Sequence, residues 1–326
     1  MSVKRLALNS TSYKYFMIAF STCWNSQKHS DGLAMVEEIL ELGFDTIEIS
    51  HGLKVSLLPG IIRAFEEKII KVAGVHNFCP SPVEVLIDAP DCYEFTSHRE
   101  RERKRAIDLT LTTIKTAEKF NAKYIVLHLG SIPMKRISPK LEKLALNDKG
   151  ESKAYEKQKN KLLKKRQKIA PLYIERAKSA LDKVLIEASE NSINLGIESR
   201  SAYEDLPNEE EMISLMKHYE DTPVVGYWHD FGHIQRKHNL GLLDHDEWLS
   251  KMNPHIKGCH LHDVKWPHRD HQVPFSGDIN FTELFKKIPN DIPIVWELSH
   301  RRTKKEILES LSKWNSIFNT NVEKNT

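Results

Sequence analysis

Short apolar runs alternate along this chain with longer amphipathic segments. In residues 32–42 and 101–120 the apolar side chains recur at intervals of three and four, the period of a helix with one buried face. Ser30 or Asp31 is placed to cap the first of these helices, and Gly43 to end it. The apolar runs predict strands at residues 15–21, 44–50, 70–78, 124–130, 194–200, 224–230, 256–263 and 292–299.

This order of elements predicts the fold class. Strands that alternate with helices pair in parallel through right-handed crossovers, and eight of them close a barrel. The competing fold, an open doubly wound sheet, needs a glycine-rich phosphate-binding turn after an early strand, and the sequence has none. We therefore predict an α/β protein with a single (β/α)8 TIM barrel, as one domain over residues 1–326.

One segment interrupts the alternation after the fourth strand. Residues 133–170 are far longer than an ordinary strand-to-helix loop. Residues 135–168 contain 13 Lys or Arg and four Asp or Glu, so this segment carries +9 and the remainder of the +3 chain carries −6. We predict a charged helical insertion. Two roles stay open: a solvated arm over the barrel mouth, or a lid or partner-binding arm that attracts an anionic, phosphorylated substrate.

Composition and charge argue against several classes of protein. The 326 residues are 40% hydrophobic and 29% charged, as in globular proteins, and a net charge of +3 does not argue for a nucleic-acid or membrane partner. No run approaches the roughly 18 apolar residues of a transmembrane helix, and the start lacks the apolar run of a secretory signal. The cysteines are scattered, so we expect reduced thiols and a cytoplasmic protein.

Four consecutive predicted strands end in side chains that bind metals. These side chains are Glu198, Asp230, His260 and Glu297. Side chains alternate between the two faces of a strand, so Asp230 is predicted to point into the barrel and His229 toward the helices. Active sites of this fold lie at the carboxyl ends of the strands. Three carboxylates and one imidazole suit one divalent cation, Mn²⁺, Mg²⁺, Co²⁺ or Zn²⁺.

Four motifs resemble those of a known family. GIESR at 196–200, HDFGH at 229–233, HLHDV at 260–264 and DHQVP at 270–274 are similar, in this order, to motifs of the xylose isomerase-like superfamily of barrels. That superfamily includes sugar-phosphate isomerases and epimerases and also endonuclease IV, and the likeness spans residues 15–318 without the insertion. In the epimerase branch the resemblance implies four metal ligands, which are Glu198, Asp230, His260 and Glu297. It also implies that the two glutamates move the substrate proton.

The resemblance therefore implies a metal-dependent sugar or sugar-phosphate isomerase or epimerase, working by proton transfer through a metal-stabilised enediolate. One divalent metal ion is the expected cofactor and a sugar or sugar phosphate the expected partner. No membrane or nucleic-acid partner is expected, and a homo-oligomer is left open. Substrate contacts are predicted for Glu48, His76, His128, Arg200, His233, His262 and His271.

The endonuclease branch supplies the alternative, a metal-dependent phosphodiester hydrolase that acts on DNA through three zinc ions. Four histidines match its ligands, namely His76, His128, His233 and His271. Arg269 stands where that branch has an aspartate ligand, which counts against it. The loop that follows also departs from both branches, because PFSG at 274–277 replaces the usual Pro-Gly-x-Gly.

Several side chains have a structural alternative. Glu48 is predicted either to accept a sugar hydroxyl or to form an ion pair at its strand end. His76 and His128 either line the cavity or bind a second metal. Three of the six tryptophans are predicted to form either apolar walls against a sugar or ordinary buried residues, namely Trp24, Trp228 and Trp266.

Overall fold

Eight parallel strands form a closed barrel in the computed structural model, which describes residues 17–85 and 91–318. The strands are β1 (Met17–Ser21), β2 (Thr46–Ile49), β3 (Lys71–His76), β4 (Tyr124–Leu127), β5 (Asn194–Glu198), β6 (Val225–Asp230), β7 (Ile256–Leu261) and β8 (Pro293–Trp296). Each strand pairs with the next along the chain, and β8 pairs with β1. The predicted TIM barrel is confirmed. Residues 15 and 16 of the first predicted strand lie outside the described residues.

Helices surround the barrel. They are Gly32–Leu40, Leu58–Glu66, Glu100–Lys119, Ser138–Leu146, Lys153–Glu190, Glu209–His218, Phe231–Asn239, His245–Met252, Phe281–Leu284 and Lys304–Phe318. Asp31 caps the first helix by accepting the Ala34 N–H at 2.9 Å, and Gly43 takes a φ of 91° beyond its end. None of the helices in the described ranges is long and apolar enough to cross a bilayer.

Within the described residues, two short antiparallel ribbons lie outside the barrel sheet. One pairs Gly130–Ser131 with Asp205–Leu206. The other, here called the mouth ribbon, pairs Asp263–Lys265 with Arg269–Gln272 directly after β7. The mouth ribbon therefore extends from the strand end at which the predicted site residues lie.

The insertion follows β4 as predicted, but its second helix does not end at residue 170. Lys153–Glu190 is continuous, and its later part is the barrel helix that leads into β5. Tyr155 and Leu162 are buried against Leu141 and Leu240, and the Tyr155 hydroxyl donates to the Leu240 carbonyl at 2.7 Å. The insertion is therefore packed onto the barrel layer through its own small core, and it is not simply a solvated arm.

Two aromatic side chains fill the barrel interior beneath the strand ends. Tyr124 and Trp228 pack with ring centroids 4.4 Å apart, and both are buried. Gly196 and Gly258 make room for the indole, since a Cβ on Gly258 would lie 2.1 Å from the Trp228 ring. The His260 ring lies next to the same indole, with centroids 5.3 Å apart. Trp228 therefore forms a rigid apolar floor under the predicted site.

We expect Gly258→Ala to lower the free energy of unfolding by about 1–3 kcal/mol or more, because the added methyl overlaps an indole that the closed barrel cannot release. Gly150→Ala is the matched control, since no atom lies within 4 Å of a Cβ added there. Urea denaturation of both variants measures the difference. Equal unfolding midpoints would contradict the role of Gly258 in seating Trp228.

Candidate active site

Four side chains converge at the carboxyl end of the barrel. Glu198, Asp230, His260 and Glu297 each offer a ligand atom, and these atoms lie within 4.8 Å of one another. All four residues are buried. The parallel register explains the meeting, because His260 is level with Asp230 on one neighbouring strand and with Val295 on the other. The structure thus brings together the set that the sequence predicts.

His260 lies between the three carboxylates. Its Nδ1 is 3.1 Å from Glu198 Oε1, 3.3 Å from Glu297 Oε2 and 3.8 Å from Asp230 Oδ2. Its Nε2 is 3.1 Å from Oε1 of Glu48, which is fully buried. Burial opposes protonation of this ring, but the carboxylates of Glu297 and Glu48 outweigh it and raise the pKa of His260 well above its ordinary value. The Glu48 contact matches the ion-pair alternative predicted for that residue.

The carboxylates of the cluster are held in the ionised form. Burial alone raises a carboxyl pKa. Imidazoles overcome that effect: His128 holds the pKa of Glu198 well below its usual range, and His260 does the same for the pKa of Glu297. The result is a buried group of negative charges balanced by histidines.

A second row of side chains supports Glu198. His128 makes a short contact to Glu198 through Nε2, while its Nδ1 lies 2.9 Å from Asp91 Oδ1. Arg200 donates from Nη2 to Asp91 Oδ2 at 2.6 Å. His76 Nε2 lies 3.5 Å from Glu198 Oε2, and burial lowers the pKa of His76. Sequence reasoning missed Asp91, because it lies outside the predicted strands and helices, in a stretch without hydrophobic periodicity.

Three further histidines surround Asp230 and Glu297. His262 Nε2 lies 3.0 Å from Asp230 Oδ1, and its Nδ1 accepts the backbone N–H of His271 at 2.9 Å. His233 Nδ1 lies 3.3 Å from Asp230 Oδ2. His271, which takes a φ of 51°, brings its Nε2 to 3.5 Å from Glu297 Oε2. Protein atoms therefore already engage both ring nitrogens of His262.

A cavity of about 710 Å³ opens beside the cluster, and Glu297 is the cluster member that lines it. Its walls come from Cys23, His51, the mouth ribbon and residues 297–302. No described side chain of the insertion lines this cavity. His51 lies two residues after the end of β2, with its ring centroid 4.7 Å from that of His76. The strand-end rule that found the other four residues could have found His51 too.

Residues 36–316 match the family described as the xylose isomerase-like TIM barrel. The chain belongs to this family. No protein with a curated description matches the sequence.

Solved structures share the xylose isomerase-like barrel at low identity. A D-tagatose 3-epimerase-like protein aligns with a TM-score of 0.64 and 19% identity over 93% of this chain and 98% of that one. The D-allulose 3-epimerase from Methylomonas sp. aligns with a TM-score of 0.64 and 10% identity, over 94% of this chain and 98% of that one. An IolI protein with a bound zinc atom aligns with a TM-score of 0.59 and 15% identity, over 95% of this chain and 100% of that one. These likenesses show the fold.

Asp263 leaves the barrel interior and organises the loop after β7. It accepts the backbone N–H groups of Val264 at 2.7 Å, Gly277 at 2.7 Å and Ile279 at 3.1 Å. A Cβ on Gly277 would lie 2.2 Å from the Val264 carbonyl oxygen. The glycine is therefore needed by this xylose isomerase-like barrel, even though PFSG departs from the usual loop.

Two other predictions concern side chains near the site. His229 points outward, where it contacts the Tyr227 hydroxyl at 2.9 Å and His245 at 3.2 Å. Trp24 is buried away from solvent, whereas Trp266 is 51% exposed and is not part of the core. Of the three tryptophans, Trp228 is the one that lies under the cluster.

The metal-free protein is expected to lose stability as the pH rises from about 6.5 to about 9.5. Burial and Arg200 oppose protonation of His128, but Asp91 and Glu198 outweigh them and raise its pKa to about 9. A raised pKa stabilises the fold fully below the unfolded value and loses that effect as the pH passes the folded value. Urea unfolding in a chelator measures this. His128→Asn should flatten the decline, and a wild-type stability that rises over this range would contradict the protonated state.

Proposed function

We propose that this protein is a metal-dependent sugar isomerase or epimerase. One observation carries the proposal: the ligand atoms of Glu198, Asp230, His260 and Glu297 lie within 4.8 Å of one another, buried beside a cavity of about 710 Å³. The likeness in fold to a D-allulose 3-epimerase and a D-tagatose 3-epimerase-like protein supports the same reaction class.

The four side chains fit one divalent cation. Three carboxylates and one imidazole form an oxygen-rich donor set suited to Mn²⁺, Mg²⁺, Co²⁺ or Zn²⁺. Burying three ionised carboxylates together is unfavourable without positive charge. Glu48 holds Nε2 of His260, so Nδ1 faces the carboxylates, as in the carboxylate–histidine pairs of metal sites. When bound, the metal supplies positive charge that stabilises negative charge on a substrate oxygen.

Glu198 and Glu297 are the proton-transfer groups in this proposal. One carboxylate removes the proton from the carbon next to the substrate carbonyl, and the other returns a proton. Return to the opposite face of that carbon gives epimerisation, and return to the adjacent carbon gives isomerisation. Glu297 lines the cavity, whereas histidines hold both oxygens of Glu198.

The remaining predicted contacts divide by the atoms they still offer. His262 contacts Asp230 and positions it, and Glu48 does the same for His260, so the polar atoms of His262 and Glu48 are already engaged by the protein. His128 likewise positions Glu198, since its two ring nitrogens contact Asp91 and Glu198. The side chains proposed to contact sugar hydroxyls are His76, Arg200, His233 and His271. His271 is the one of these four that lines the cavity.

Incubation with a panel of ketoses and ketose phosphates tests the proposal. The Mn²⁺- or Co²⁺-loaded protein should convert at least one of them to an epimer or an aldose, followed by NMR, and a chelator should stop the reaction. Absence of conversion across the panel by fully metal-loaded protein would contradict the proposed function.

A phosphodiester hydrolase is the second candidate, because His76, His128 and Glu198 form another group whose ligand atoms lie within 4.8 Å. One observation weakens it: Arg269 occupies the position of an aspartate ligand in the endonuclease branch. Elemental analysis separates the candidates: one tightly bound ion per chain supports the isomerase, whereas three zinc ions together with DNA cleavage support the hydrolase.

A further inference from the structure

The geometry points to a phosphate-binding subsite at the outer end of the cavity. We propose that the substrate is a sugar phosphate whose phosphate group lies among Lys265, Arg269, Arg301 and Arg302, while its carbonyl end reaches Glu297. This inference rests on the proposed function and narrows its substrate class. It places anion recognition on the loops after β7 and β8, and not on the basic insertion.

Two cationic side chains lie opposite each other in the mouth ribbon. Lys265 and Arg269 are directly opposite in the antiparallel register, and both are exposed. Like charges in this position destabilise a ribbon. Neither side chain forms an ion pair within 4.0 Å with a carboxylate of the described ranges, although Lys265 interacts with Glu306 over a longer distance. A ribbon built in this way is suited to an external anion.

The loop after β8 adds two more cations to the same cavity. Arg301 is exposed there. Arg302 donates from Nη1 to Glu306 at 3.1 Å, yet its buried Nε has no hydrogen-bond partner. Arg302 lines the cavity, and a phosphate oxygen is a strong acceptor for a guanidinium. Arginine and lysine together suit a group that carries close to two negative charges near neutral pH.

The carboxylates that line the cavity do not cancel this charge. Four Lys or Arg line it against two carboxylates, Asp270 and Glu297. Asp270 is paired with Arg236 at 2.6 Å and with His271 at 3.2 Å, while Glu297 is paired with His260 at 3.3 Å. The chain outside residues 135–168 carries −6, so the rim is a local positive region on an acidic background. Such a region concentrates anions at the entrance.

The inner end of the cavity is buried and its outer end is exposed to solvent. Glu297 is 4% exposed at its inner end, whereas Lys265, Arg269 and Arg301 are exposed at its mouth. A volume of about 710 Å³ is within the range of small-molecule sites and leaves room for more than a sugar ring. A sugar with a terminal phosphate satisfies both ends, because its carbonyl meets the buried carboxylate and its charge stays at the cationic rim.

A pair of charge-matched double variants tests the subsite. Lys265→Gln/Arg269→Gln removes two rim charges, and Arg101→Gln/Lys251→Gln removes two exposed charges that do not line the cavity. Calorimetry measures inorganic phosphate binding by the metal-loaded proteins at low salt. The rim variant should bind about tenfold more weakly than the control, and the difference should shrink as salt rises. Phosphate also binds divalent cations, so binding alone does not show a subsite. The difference in phosphate affinity between the rim variant and the control variant decides the test.

Turnover gives an independent readout. The ratio of kcat/KM for a ketose phosphate to that for the same neutral ketose should fall about tenfold in the rim variant relative to the control. Arg301→Gln should lower it in the same direction, which covers the case that the double variant does not fold. Equal phosphate binding and an equal ratio in the two double variants would overturn the subsite, as would a stronger preference for a sugar acid than for a sugar phosphate.

The outcomes also separate the subsite from the reaction. Rim-dependent phosphate binding without conversion of any sugar would leave the subsite standing and contradict the proposed isomerase. Conversion of neutral ketoses with a ratio that the rim variant does not change would leave the reaction standing and contradict the subsite.

Discussion

Glu198→Gln and Glu297→Gln are each expected to lower kcat by at least about 100-fold, the typical effect of losing a general base. The amide keeps the shape of the side chain but cannot accept the substrate proton. At Glu198 the effect should be the larger, because Oε2 also contacts His128. The glutamine would remove the negative charge that holds the His128 ring in place.

Steady-state kinetics on the best substrate of the panel measures this effect. Circular dichroism and thermal unfolding check that the barrel is intact. Glu67→Gln is the control, since that glutamate is 47% exposed and pairs with Arg63 on the surface. Its kcat should stay within about twofold of wild type. A glutamine variant at Glu198 or Glu297 that retains normal kcat would remove that residue from the proton-transfer pair.

His260→Ala is expected to weaken metal binding far more than His262→Ala. His260 Nδ1 lies among the three carboxylates, so the first variant loses a ligand. His262 has both ring nitrogens engaged, by Asp230 and by the His271 backbone, so the second variant loses only the support of Asp230. Loss of such a supporting contact typically reduces metal affinity about 10- to 100-fold. Removal of a ligand from a four-ligand site should exceed that.

Competition with a fluorescent chelator measures the metal affinity of both variants, and elemental analysis measures the occupancy after purification. Each ring is buried, so thermal unfolding must show that both variants fold. Equal metal affinity in the two would mean that His260 is not a ligand, and a weaker affinity in His262→Ala would mean that the register of the site is wrong.

The barrel and the main cluster follow from two local rules. Alternation of side chains across a strand selects the inward residues, and parallel strands all present their carboxyl ends at the same edge. These rules are sufficient to bring Glu198, Asp230, His260 and Glu297 together before any coordinates are known. Strand ends are less well predicted. The fourth strand ends at Leu127 and not at residue 130, because His128 already turns into the site.

The supporting side chains could not be predicted in the same way. Asp91 and Arg236 reach the site from a loop and from a helix, and their contacts to His128 and Asp270 depend on tertiary packing that has no sequence period. The sequence does not predict that Lys153–Glu190 is one continuous helix, because Pro171 interrupts the helical pattern where the insertion joins the barrel helix. Asp270 is adjacent to His271 in the motif DHQVP, but its sequence position alone predicts no role for it.

Exchange of carbon-bound hydrogen with solvent deuterium tests the central claim most directly, because it detects proton transfer even when no net conversion accumulates. The metal-loaded protein should catalyse deuterium incorporation next to the carbonyl of a ketose or ketose phosphate in D₂O. Incorporation should cease on chelation, return on addition of metal, and be absent in Glu297→Gln. No incorporation into any member of the panel, or incorporation that persists without metal and without Glu297, would contradict a metal-dependent proton-transfer site at this cluster.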